Sequence, residues 1–200
     1  MDLQPACGGC SPLSFAFGIK MDKDKFISTV QKFVAIEAVG VSALRGQGKG
    51  VLGEIRAYLG QLDLRLGNIK NKDQFIEWLD IQTEKILDQL PVRNRPWGAA
   101  RKAINLFLRG CLYNKYLCEH YHLYNYENWM EIPLDSVVAK GLRKEIEKKK
   151  LNKKLPRWPG LKYLKKKTSD KYQKIAELIA AQNHLTAKVH LDIFLWLENR

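Results

Sequence analysis

From Asp22 onward the apolar residues of this chain recur at spacings of three and four, and no stretch shows the strict alternation of a strand. That spacing returns to one face of a 3.6-residue helix, so packed amphipathic helices are the way such a chain buries its apolar surface. Phe26, Val30, Phe33, Val34 and Ala38 mark a first helix, which Gly40 ends. Leu52, Ile55, Tyr58, Leu59 and Leu62 mark a second. Asn71-Lys72-Asp73 opens a third that carries Phe75, Ile76, Leu79, Ile86 and Leu90 up to a stop at Pro91. After a turn over 91–98, one long apolar helix is expected from about Ala99 to Tyr121. Pro133 interrupts the pattern, and Asp135 or Ser136 is placed to cap the next helix, which carries Val137, Val138, Leu142 and Ile146. Pro156-Arg157-Trp158-Pro159-Gly160 makes another break, followed by helices around Tyr172 to Ala181 and Leu185 to Leu197. The expectation is an all-α, two-lobed bundle of about eight helices, with a single domain over 21–200 behind a loose arm over 1–20.

A hydrophobic fraction of 46% supplies a core and argues against global disorder. No apolar run approaches the roughly 18 residues of a membrane span. Met1-Asp2-Leu3-Gln4-Pro5 lacks the basic-then-apolar order of a signal peptide, so a cytoplasmic, nucleoid-associated protein is expected.

The charge is lopsided. Residues 139–174 hold 13 Lys and 2 Arg against Glu145, Glu147 and Asp170, so this segment carries +12 of the total of +13. A block this basic suits either a solvated face or a polyanion, and Trp158, Tyr163 and Tyr172 among the charges favour nucleic acid. Cys7-Gly-Gly-Cys10 is a lone pair without the second pair or the histidines of a zinc site, and Cys111 and Cys118 read as core. The four histidines lack metallohydrolase spacing, and the Gly46–Gly50 loop lacks the Gly-Lys-Ser/Thr ending of a nucleotide-phosphate loop. No metal and no cofactor are expected.

Two residues suit cleavage of an N-glycosidic bond. Lys102 sits near the start of the long apolar helix, where the positive end of the helix dipole and the neighbouring Arg101 disfavour its protonated form. A neutral amine there can attack an anomeric carbon and form a Schiff base. Asp135 heads another helix, where backbone N–H groups hold it ionised and able to stabilise a sugar cation. Taken singly, each also reads blandly, as a surface lysine and an ordinary cap.

The stretch Ile132-Pro133-Leu134-Asp135-Ser136-Val137-Val138-Ala139 resembles the catalytic-aspartate segment of the helix-hairpin-helix DNA glycosylase superfamily, most nearly its archaeal 8-oxoguanine branch. There, too, a lysine opening a long apolar helix precedes the aspartate by just over thirty residues; here Lys102 precedes Asp135 by 33. Val189-His190-Leu191-Asp192-Ile193-Phe194-Leu195-Trp196-Leu197 is similar to that branch's final helix. The resemblance implies Lys102 and Asp135 as catalytic pair, with Asp192 bonding the edge of a flipped base and Trp196 packing on its ring. The family's Leu-Pro-Gly-Val-Gly hairpin is replaced by Arg95-Pro96-Trp97-Gly98-Ala99.

DNA contacts are expected from Arg45, Gln47 and Lys49 in the glycine loop, from Arg95, Trp97, Gly98 and Arg101, and from Lys140 in the basic block. The expected partner of the monomer is double-stranded DNA carrying a damaged or modified base, which must be flipped out. Two base classes stay open: an oxidised guanine, or a hypermodified base of phage DNA such as glucosylated hydroxymethylcytosine, met in antiviral defence. The rival reading is a non-catalytic helical module that binds DNA or RNA. A helical protein-interaction domain is a weaker rival; it predicts little salt dependence in DNA binding, whereas the other two readings predict a steep one.

Overall fold

The computed structural model describes residues 22–44, 46–91 and 95–199, and among these it holds eight α-helices, four short 3₁₀ turns and no strand. Side-chain caps fix several of the helix starts. Asp22 accepts from the Lys25 N–H at 2.7 Å ahead of α1 (Lys23–Ala38). Helix α2 covers Val51–Leu59. Asn71 accepts from the Gln74 N–H at 2.9 Å ahead of α3 (Lys72–Gln89). Helix α4 (Trp97–Tyr113) has no side-chain cap, whereas Asn114 accepts from the Leu117 N–H at 3.1 Å and starts α5 (Lys115–Tyr121). Asp135 opens α6 (Ser136–Lys148), and α7 (Lys166–Gln182) and α8 (Leu191–Asn199) complete the chain. Each cap satisfies N–H groups that have no partner inside their helix.

The single long helix expected from Ala99 to Tyr121 is therefore two. Asn114 adopts an extended backbone (φ −87°, ψ 112°) and its side chain caps the new start, so the axis breaks although the apolar spacing continues across it. Leu123–Trp129 is a run of 3₁₀ turns that periodicity does not reveal; it is pinned by the Tyr126 hydroxyl donating to Leu66 O at 2.8 Å. The last helix starts at Leu191 rather than near Leu185, after the 3₁₀ turn Lys188–His190. On α1 the buried residues are Ile27, Gln31, Val34 and Ala35, while Phe33, expected in the core, is 60% exposed.

Two apolar clusters result. The larger joins α1 to α5 around Ile55, Leu59, Phe75, Leu79, Ile104 and Phe107. The smaller joins α6, α7 and α8 around Ile132, Val138, Leu142, Tyr172, Ile179 and Leu195. Trp97, at the head of α4, packs against both. Every residue of α4 from Gly98 to Leu108 is buried. A helix buried on all sides must pair every polar side chain it carries, because an unpaired buried charge costs several kcal/mol or more. Arg101, Lys102 and Asn105 lie in that stretch. None of the described helices is long and apolar enough to cross a membrane.

Candidate active site

Lys102 is 8% exposed, and its Nζ donates to two acceptors: Asp135 Oδ2 at 3.0 Å and Ala43 O at 3.2 Å. Asp135 divides its two oxygens. Oδ1 accepts the N–H groups of Val137 and Val138, both at 2.9 Å, and Oδ2 is turned to the lysine. The backbone bonds fix the carboxylate's orientation at the start of α6. The cap and the ion pair are thus one arrangement.

Arg101 is the main correction to the expected DNA contacts. It is 2% exposed and turns inward, gripping Glu131 with Nε–Oε2 at 2.8 Å and Nη2–Oε1 at 3.0 Å. Its Nη1 meets Asp80 Oδ1 at 3.0 Å and Thr83 Oγ1 at 3.2 Å, and its guanidinium lies over the Trp97 ring at 5.5 Å. Asn105 Nδ2 donates to Glu131 Oε2 at 3.0 Å. Burial pushes the Glu131 carboxyl up, but the charge and hydrogen bonds of Arg101, with help from Asn105 and Lys188, outweigh it and hold the group below its ordinary value. With Arg101 neutralised by two carboxylates, its charge does not act freely on Lys102. Its place is structural: Arg101 precedes Lys102 by one residue, and Glu131 precedes Asp135 by four. The buried pair joins the same two segments that bring the amine and the carboxylate together.

Gly98 is a second correction. A Cβ there would meet Leu161 O at 2.4 Å and Leu164 Cβ at 2.7 Å, so the glycine lets the 161–164 segment lie on α4 and is buried beneath it. Trp97 is half-buried between the two cores. Arg95 is exposed and paired with Asp88 at 2.8 Å.

Lys102 and Asp135 open on a cleft of about 820 Å³, within the range of small-molecule and cofactor sites. Asp192 and Trp196 of α8 line it too, together with Arg109 of α4, Glu37 at the end of α1, Gln47, and Trp158 from the break between α6 and α7. Asp192 is buried and ion-paired with Arg109. Trp196 is 38% exposed on the cleft wall. Hence a buried aspartate and a partly open tryptophan replace the buried tryptophan and solvated aspartate of an ordinary amphipathic helix.

No family model, curated protein or solved structure matches this chain.

Arg109 escaped the sequence reading. It stands seven residues after Lys102, which returns it to nearly the same helix face, and that spacing was the available signal. Burial holds its guanidinium below its ordinary value. In the glycine loop, Gln47 is half-buried against the cleft and Lys49 is exposed, while Arg45 lies outside the described residues, as do Cys7 and Cys10. Lys140 is exposed on α6, one turn past Ser136 at the cleft edge. Trp158 packs edge-on against Tyr172 at 5.5 Å. Among the described residues no cluster of His, Cys, Asp and Glu could hold a metal ion. Chemically, the arrangement offers an amine beside an oriented carboxylate, with two further carboxylates, a guanidinium and two indole rings around one cavity.

Proposed function

We propose that this chain is a DNA N-glycosylase that flips a damaged or modified base into the cleft and excises it, with Lys102 and Asp135 as its catalytic pair. One observation carries the reading: Lys102 Nζ lies 3.0 Å from Asp135 Oδ2, at a cavity that also holds Asp192 and Trp196. These four residues are drawn from α4, α8 and the cap of α6, and were singled out by their resemblance to one family's site.

Asp135 Oδ2 accepts a hydrogen bond from the Lys102 amine and is the group placed to take a proton from it. The neutral amine then attacks the anomeric carbon as the glycosidic bond breaks and the base leaves with its electron pair. Asp135 hands that proton on to the departing base and, a carboxylate again, stabilises the cationic sugar, as fixed charges do where charge develops. The adduct nitrogen gives up one of its two protons and the sugar ring opens, its oxygen taking a proton, to yield a protonated imine. Loss of the neighbouring C2′ proton then expels the 3′ phosphate and nicks the strand. Should Lys102 prove dispensable, water activated by Asp135 completes a simple hydrolysis. Asp192, held by Arg109, is set to bond the base edge, and Trp196 offers a ring to stack on it. An oxidised guanine and a bulky hypermodified cytosine both fall within this chemistry.

The basic block supports the rival, a non-catalytic nucleic-acid binder, as well as it supports an enzyme. A mere binder gives no reason to bury a lysine against a carboxylate in a cavity of this size. The test is incubation with duplexes bearing a panel of oxidised and hypermodified bases, scored for abasic sites. Release of one base class by the parent chain, lost in Lys102→Ala and Asp135→Asn, is the expected result. No release from any duplex overturns the catalytic reading and leaves the binder.

A further inference from the structure

Twelve of the 13 lysines of the 139–174 block are exposed, yet they are not equivalent in position. Those of α6 and α7 lie on two separate helix faces. On α6, Ser136, Lys140 and Lys144 follow one another at intervals of four and are all exposed, while Val138, Ala139, Leu142 and Ile146 face the core. Ser136 lies at the edge of the cleft, so the row starts at the cavity and runs about 12 Å outward along the helix. On α7, Lys167 and Lys171 are also exposed and four apart, but no α7 residue lines the cleft. Glu37 of α1 also lines the cleft.

We infer that Lys140 and Lys144 form a phosphate track by which a nucleic-acid strand enters and leaves the cleft along α6. The length fits: 12 Å of duplex axis passes roughly three to four phosphates of one strand, so two lysines four residues apart meet separate phosphates. Glu147 follows on the same side, and Lys148 shares its charge with Glu145 at 3.6 Å, so the uncompensated part of the row is its cleft end. This inference rests on the nucleic-acid reading of the cleft, but not on its chemistry.

The test is the salt dependence of binding to a short labelled duplex of ordinary bases, read by fluorescence anisotropy. Parent chain, Lys140→Gln/Lys144→Gln and Lys167→Gln/Lys171→Gln are compared; all four positions are exposed, so folding is not at stake. Loss of two phosphate contacts makes the slope of log K against log salt shallower by about 1.8. The α7 pair removes the same charge and is expected to change the slope by less than half as much. An α6 effect below roughly one unit, or less than twice the α7 effect, overturns the track and leaves diffuse attraction by the whole block. Failure of the parent chain to release any base would sink the glycosylase reading and leave these slopes as they are.

Discussion

At the residue scale, Asp135 has two duties, and they can be separated. Asparagine keeps an oxygen for the Val137 and Val138 N–H groups but loses the charge that faces Lys102. Asp135→Asn is therefore expected to keep α6 intact while single-turnover excision falls by about 10²-fold or more. Asp135→Ala also loses the cap, a further cost of about 1 kcal/mol that thermal unfolding reports. An asparagine variant with parental activity would make Asp135 a cap and nothing else. Lys102 and Asp135 were legible as a pair through the family resemblance and its spacing of 33, since each alone reads as a surface lysine or an ordinary cap. The sequence misplaced Arg101 because a cation next to a predicted catalytic lysine reads as a surface charge. Nothing within a few residues of Arg101 announces Glu131, which lies 30 positions away.

At the element scale, the boundaries written in side-chain caps were partly legible and those written in tertiary contacts were not. Asn71 and Asp135 could be read as helix starts because a break in the apolar pattern precedes each. Asn114 could not, since the apolar spacing runs on through it, and the late start of α8 has no local signal. What holds the elements in register is the buried cluster of Asp80 and Thr83 on α3, Arg101 and Asn105 on α4, and Glu131 ahead of α6. Breaking such a pair leaves a buried charge behind, so Glu131→Gln is expected to cost about 3–5 kcal/mol near neutral pH. The Glu131 pKa is held below its unfolded value of 4.5, so its ionised form stabilises the fold above that pH. That contribution is lost as pH falls through the folded value. Urea unfolding at neutral and strongly acidic pH should show the gap between parent and variant narrowing in acid, where the parent's carboxyl is protonated as well. A gap that stays constant with pH would mean that Glu131 contributes packing rather than charge.

At the scale of the whole molecule, the chain separates its tasks. The α1–α5 core carries Lys102 and Arg109 on its central helix, the α6–α8 core supplies Asp135, Asp192 and Trp196, and the cleft opens where the two meet. The all-helical class was legible because the 3.6-residue period persists along the chain. The meeting of the two lobes was not, because it depends on a glycine that admits a backbone, a tryptophan shared by both cores and an ion pair closed across 30 residues. The claim on which the rest depends is that the buried Lys102 amine attacks a sugar carbon. Borohydride reduction during incubation with a duplex bearing the excised base, followed by peptide mass mapping, tests it most directly. The account predicts a covalent protein–DNA adduct mapped to Lys102 and absent from Lys102→Ala. An adduct on another lysine, or base release with no trapped species at all, would contradict it.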